Sequence, residues 1–144
     1  MENNRTIGQG FLEKDLDRIG EFKSFHELIL YYMDERGEKS HVDDLAESTG
    51  ISTRTINKMR SPSESVHHFD LKILIAVAVG LHMMSVHSYY LIHLNGQTLR
   101  KTNREEKFYI YILSECNQYS VSEVNQFLID NDLLPLTNID NTDE

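Results

Sequence analysis

One stretch decides how this chain folds: residues 41–60, which read HVDDLAESTGISTRTINKMR. The pattern predicts two short helices joined by a tight turn, with Leu45 and Ala46 midway along the first helix. Gly50 follows that helix, at the point where a helix exit needs a positive φ that glycine adopts at little cost. Ser52 can then cap the second helix, because its hydroxyl accepts a backbone N–H.

The second helix has an apolar side and a polar, cationic side. Ile56 and Met59 lie three residues apart on one face, which must pack back on the first helix together with the inward-turned Ile51. Six polar residues point away: Ser52, Thr53, Arg54, Asn57, Lys58 and Ser61. A buried wedge behind a polar, cationic strip is what a helix-turn-helix needs to enter a DNA major groove.

The apolar spacing in this stretch resembles the phage-repressor-like (xenobiotic-response-element type) helix-turn-helix family. Seven positions carry the resemblance: Val42, Leu45, Ala46, Gly50, Ile51, Ile56 and Met59. The small Ala46, with Gly50 four residues later, is the most telling pair. The resemblance implies a sequence-specific transcriptional regulator that binds double-stranded DNA. The alternative at this point is an ordinary helical hairpin that binds nothing.

Helical patterns continue on both sides, so we expect an all-α fold: a five-helix repressor-like domain over 24–96 and a two-helix C-terminal extension over 97–136. The apolar run LKILIAVAV, which follows a potential Asp70 cap, is the expected central core helix. Three capping boxes are predicted, at Ser24–Glu27, Thr102–Glu105 and Ser120–Glu123.

The extension is similar to the C-terminal half of a group of Firmicute helix-turn-helix proteins, through the segments GQTLRKTNREEKFYIYIL and VSEVNQFLIDNDLLPL. The similarity implies a bacterial protein whose two parts form one unit. Residues 1–23 are expected to be a flexible N-terminus with a short helix closed by Gly20, and residues 137–144 a disordered acidic tail.

The charge is unevenly distributed along the chain. The net charge is −9, although nucleic-acid binders are usually basic. Residues 48–63 contain three bases and no acid, whereas residues 105–144 contain nine acids and one base. Since charges act over about one Debye length, roughly 8–10 Å, the local basic strip can still face DNA. The overall charge predicts weak non-specific affinity and a steep salt dependence.

Motifs for catalysis and metal binding are not found in the sequence. There is no phosphate-binding glycine loop, no HExxH and no paired cysteine ligands. The seven histidines lack metal-ligand spacing, so surface or boundary positions are expected for them. The single Cys116 is expected to be a small buried hydrophobe. We therefore expect no enzyme activity, cofactor or metal. The lack of an apolar signal core, of a membrane span and of a disulfide pair favours the cytoplasm.

The predicted DNA contacts lie on the second helix of the motif. Base edges are assigned to Arg54, Asn57 and Lys58, because arginine pairs well with guanine and asparagine with adenine. Phosphates are assigned to three further residues: Thr53, Thr55 and Arg60. Many repressor-like domains carry a phosphate-contacting glutamine at the start of the first motif helix. This chain has Val42, Asp43 and Asp44 there, with Glu47 further along.

Those acids favour a rival hypothesis, in which the helix-turn-helix is a scaffold that binds a regulatory or antitoxin-like protein partner and has little DNA affinity. A homodimer is also expected, because one recognition helix reads few base pairs. Two tyrosine pairs, Tyr89–Tyr90 and Tyr109–Tyr111, are either core packing or its interface. A second basic cluster is either a solvated helix start or a phosphate contact: Arg100, Lys101, Arg104 and Lys107.

Overall fold

The computed structural model describes residues 22–35, 41–62, 68–115 and 118–139. These residues form seven α-helices and no strand, which confirms the all-α prediction. In chain order the helices are α1 (Phe25–Leu30), α2 (Val42–Thr49), α3 (Thr53–Arg60), α4 (Leu71–Gly80), α5 (Ser85–Leu94), α6 (Arg104–Ser114) and α7 (Val121–Asp130). Three predicted features lie outside the described residues: the helix before Gly20, Cys116 and the end of the acidic tail.

Helix α4 forms the centre of the molecule. Six consecutive residues, Leu74 to Val79, are buried, as expected for a helix that is apolar on every side. It contacts α2, α5, α6 and α7, so both parts of the chain share one core. Asp70 is the N-cap residue, but its side chain makes no capping hydrogen bond. None of the helices in the described part of the chain is long and apolar enough to cross a membrane.

Helix α1 continues into one π-helical turn, Tyr31–Glu35, that carries buried aromatic residues. The Tyr32 hydroxyl lies 2.5 Å from Nδ1 of His87 and accepts the Met84 backbone N–H at 3.2 Å. His87 is only 1% exposed. The expectation of a surface or boundary position is therefore wrong for this histidine, whose ring packs edge-on against Phe22, before α1, and Tyr32 of the π-helical turn.

The predicted capping boxes are realised to different degrees. The Ser120 box is complete, since Ser120 Oγ accepts the Glu123 N–H and the Glu123 carboxylate accepts the Ser120 N–H. At Ser24 the side chain makes no capping bond, and Glu27 accepts the Lys23 N–H instead. The box predicted at Thr102–Glu105 is wrong by one residue: the Asn103 side chain caps α6 by accepting the Glu106 N–H at 3.0 Å. These corrections leave the predicted order of helices unchanged.

The residues that follow α7 pack back on the motif. The Asn125 side chain accepts the Leu136 N–H at 2.8 Å and donates to the Thr137 carbonyl at 3.1 Å. The Thr137 hydroxyl donates to the Thr49 carbonyl, and Ile139 packs against the core. The described part of the chain is therefore packed as far as Ile139, which moves the start of any free acidic tail beyond the predicted residue 137.

Candidate nucleic-acid interface

The candidate site begins at the turn between α2 and α3. Gly50 has φ +81°, as predicted, and its N–H donates to the Ala46 carbonyl at 2.9 Å. Thr49 was not predicted to have a role, but its buried side chain stabilises the turn by two hydrogen bonds. Its hydroxyl donates to the Leu45 carbonyl at 2.6 Å and accepts the Ile51 N–H at 3.1 Å. The orientation of α3 relative to α2 is thus set by both local hydrogen bonds and the glycine.

The inner face of α3, which packs on the rest of the protein, is the expected apolar wedge. Ile56 and Met59 are 0% and 1% exposed, and Leu45 and Ile51 are buried with them in one cluster. Ala46, with Val42 one turn earlier, is half-buried against that cluster. Ser52 caps the helix, since its Oγ accepts the Thr55 N–H at 3.1 Å. The packing and the cap together hold α3 in a defined position.

The solvent face of α3 carries the three residues assigned to base edges. Arg54, Asn57 and Lys58 are all exposed, and their spacing of three and four residues places them on one side of the helix. No acidic residue occurs between Thr53 and Arg60. This side therefore presents two cations and one amide without a competing carboxylate from the same helix.

The three residues assigned to phosphates have different environments. Thr53 is exposed, whereas Thr55 is half-buried and its Oγ1 accepts the Ser52 hydroxyl at 3.0 Å. Arg60 is also half-buried, and one guanidinium nitrogen lies 3.5 Å from the Asp34 carboxylate. That ion pair offsets the charge of Arg60, so Arg54 and Lys58 carry most of the net positive charge on α3.

The acids of α2, the helix that precedes α3, are exposed. Asp43 and Asp44 lie in the first turn of α2, and Glu47 lies one turn later. Carboxylates in a first helical turn stabilise that helix through its dipole. They also repel any phosphate that approaches the same surface, within about 8–10 Å at ordinary salt.

The second basic cluster is mostly engaged within the molecule. The Arg100 guanidinium donates hydrogen bonds from two of its nitrogens to the buried Glu106 carboxylate, the shorter at 2.8 Å. A guanidinium nitrogen of Arg104 donates to the Asn131 carbonyl at 3.1 Å, and the group lies over the Phe108 ring. Lys101 and Lys107 are exposed. The ion pair and the carbonyl contact fit the solvated helix start better than a phosphate site.

Some of the four tyrosines are packed in the protein and others are exposed, where they are accessible to a dimer interface. Tyr109 is buried, and burial raises the pKa of its hydroxyl well above the ordinary value. Tyr90 donates to the Phe22 carbonyl at 2.6 Å, and Tyr89 donates to the Ile110 carbonyl at 3.2 Å. Tyr111 is 55% exposed on the outer face of α6. Core packing therefore accounts for Tyr109, and Tyr111 is the most exposed of the four tyrosines.

Residues that could bind a metal are not grouped in the described part of the chain, where no three histidine, cysteine, aspartate or glutamate side chains form a cluster. Comparison with known proteins finds no matching family model, no similar curated protein and no similar solved structure. The functional assignment therefore rests on the residues and their geometry.

Proposed function

We propose that the chain is a sequence-specific DNA-binding regulator whose helix α3 reads base edges in the major groove. One observation carries the proposal: the exposed, acid-free side of α3 presents Arg54, Asn57 and Lys58 on a helix fixed by its cap and its buried face. A recognition helix needs this combination, because base readout requires side chains held at a defined position relative to the groove.

Each residue has a role that follows from its chemistry. Arg54 is the second residue of α3, near the end that leads into the groove, and its guanidinium can donate two parallel hydrogen bonds to a guanine. Asn57 lies one turn later and can pair with the donor and acceptor of an adenine. Thr53 and the N-terminal N–H groups of α3 suit a phosphate, because a helix N-terminus attracts anions.

The charges around α3 predict that its affinity for DNA depends mainly on contacts with the bases. The Asp34–Arg60 pair and the acids of α2 oppose non-specific attachment to phosphates. Two copies reading half-sites about 34 Å apart would compensate by doubling the number of base contacts. We therefore expect low affinity for random DNA.

Selection from a random duplex library at low salt tests the proposal directly. We expect enrichment of a palindromic or repeated site, and loss of that enrichment in the Arg54→Ala chain. Lys101→Ala is a matched control, since it removes an exposed cation outside α3. A library in which no sequence is enriched by the unmodified chain contradicts the proposal.

The second candidate function is a protein-interaction module that uses the same scaffold. The exposed acids Asp43, Asp44 and Glu47 favour it, because they would repel the DNA backbone. The two functions predict different results for the Asp43→Asn/Asp44→Asn chain. A DNA reader should bind all duplexes more tightly after this change, whereas a chain that does not use DNA should show no binding before or after it.

A further inference from the structure

The outer surface of α6 and α7 carries an exposed aromatic ridge between two hollows. Tyr111 and Phe127 form the ridge, with their ring centroids 5.8 Å apart. A hollow of about 220 Å³ on one side is lined by the ridge, Tyr119 and the carboxylates Glu115 and Glu123. A hollow of about 350 Å³ on the other side is lined by the ridge, Phe108 and Lys107.

Charges of opposite sign lie on the two sides of this ridge. Lys107 precedes Tyr111 by four residues, which places its Cα about 6 Å, roughly one turn, before that of Tyr111 on α6. Glu115 follows Tyr111 by four residues and is the C-cap residue of α6. One end of the surface therefore has the basic Lys107, and the other has the acidic Glu115 and Glu123, with the aromatic ridge between them.

We infer that this ridge is the interface of a homodimer in which two α6 helices pack antiparallel about a two-fold axis near Tyr111. Such an axis places Lys107 of each copy opposite Glu115 of the other. It also brings the aromatic ridges of the two copies together near the axis. A two-fold interface requires a surface that complements itself, and the opposite charges on the two sides of Tyr111 meet that requirement.

A second copy fits this surface better than an unrelated partner does. An unrelated protein could match any arrangement of charge, whereas self-association requires opposite signs on the two sides of the centre, as Lys107 and Glu115 provide. Tyr111 is 55% exposed, and tyrosine is enriched at the centres of interfaces. Helix α3 packs mainly against α1 and α2, whereas the ridge is on α6 and α7.

The test is the oligomeric state of the full chain without DNA, measured by sedimentation equilibrium up to high micromolar concentration. Because no DNA is present, its outcome is separate from that of the proposed function. We expect a dimer for the unmodified chain. Lys107→Glu and Glu115→Lys should each weaken it by at least about tenfold, because each change places two like charges opposite one another twice per dimer.

Mixing the two single variants provides the sharpest readout. In the mixed dimer every substituted position faces a charge of the opposite sign, so association should return to the level of the unmodified chain. The double variant Lys107→Glu/Glu115→Lys should also dimerise alone. Circular dichroism and thermal unfolding verify that each variant is folded, and both changes are on solvent-accessible positions of α6 and its C-terminal end.

Two controls fix the location of the interface. Lys101→Glu makes the same change of charge outside the ridge, and Leu134→Asp changes a residue that is 68% exposed and lines neither hollow. Both should leave the dimer unchanged. A monomeric unmodified chain, a dimer insensitive to Lys107→Glu, or single variants that fail to associate when mixed would each overturn the inference.

Discussion

At the scale of single residues, Gly50 is constrained twice. Its φ of +81° is costly for any residue with a Cβ, by roughly 1–2 kcal/mol. In addition, a Cβ at this position would lie 2.8 Å from Thr137 Oγ1 and 3.0 Å from the Asn138 carbonyl oxygen. We expect Gly50→Ala to reduce the free energy of unfolding by this backbone cost. The overlap of the new Cβ with Thr137 and Asn138 should reduce it by about 1–3 kcal/mol more.

Gly96 offers a matched control for that prediction. Its φ is +79°, but a Cβ there would be 3.9 Å from the nearest atom, Cε1 of His68. Gly96→Ala should therefore show the backbone cost alone. Urea unfolding of both variants measures the difference. Equal losses of stability would mean that the segment from Thr137 to Ile139 does not pack on the turn.

Glu106 is a single residue whose titration should be visible in the stability of the whole chain. Its hydrogen bonds from the Arg100 side chain hold its pKa below the ordinary value of 4.5, against the opposing effect of burial. The folded chain then binds this proton more weakly than the unfolded chain does. The ion pair thus contributes stability above the ordinary pKa, and the contribution is lost as the pH falls through the lowered one.

Glu106→Gln should accordingly destabilise the chain near neutral pH and make its stability less dependent on acid. Urea unfolding at about pH 7, 5 and 3 compares the two chains over the range in which carboxylates titrate. The advantage of the unmodified chain over the variant should shrink as the pH falls below about 4.5, because the folded pKa lies below that value. An advantage that persists unchanged to the lowest pH would contradict the role given to Arg100.

At the scale of elements, α2 and α4 pack closely because Gly80 has no side chain. A Cβ at position 80 would lie 2.4 Å from Cγ2 of Thr49 and 3.3 Å from Cδ1 of Leu45. Helix propensity alone predicts that Gly80→Ala stabilises α4 by up to about 1 kcal/mol. We expect the opposite sign, a loss of about 1–3 kcal/mol, because the overlap in the core outweighs the propensity.

Thr49→Ser identifies the contact responsible, since serine removes Cγ2 and keeps the hydroxyl that closes the turn. Alone it should cost about 1 kcal/mol for the lost methyl group. The double variant Thr49→Ser/Gly80→Ala should lose at least about 1 kcal/mol less stability than the sum of the two single losses. Residues in contact show such non-additive free energies of unfolding. Strict additivity in the double-mutant cycle would show that the two helices do not meet at these residues.

Local signals made most of these elements predictable from the sequence. Ser52, Gly50 and Ser120 act through hydrogen bonds or dihedral angles within a few residues, and the structure has each of them in its predicted role. The start of α6 was misplaced because Thr102 and Asn103 are adjacent and both suit an N-cap. The π-helical turn after α1 has no comparable local signal and was not predicted.

At the scale of the whole molecule, the contacts that sequence reasoning missed join residues far apart in the chain. Arg60 pairs with Asp34, and Thr137 binds the Thr49 carbonyl from 88 residues away. Neither contact follows a helical or strand period, so pattern analysis has no basis for finding them. They bear on the proposed function, because the Asp34 contact offsets a cation of α3 and the Thr137 contact secures the turn before α3.

The central claim is that α3 reads DNA sequence, and a comparison of Arg54→Ala with Arg60→Ala tests it most directly. The measurement is the binding of a selected duplex and a scrambled duplex at two salt concentrations. Arg54→Ala should cost roughly 1–3 kcal/mol on the selected duplex and relax preference at one base pair. Because Arg60 is paired with Asp34, Arg60→Ala should weaken both duplexes about equally and flatten the salt slope by less than one unit. Equal binding by both variants and the unmodified chain would contradict the claim.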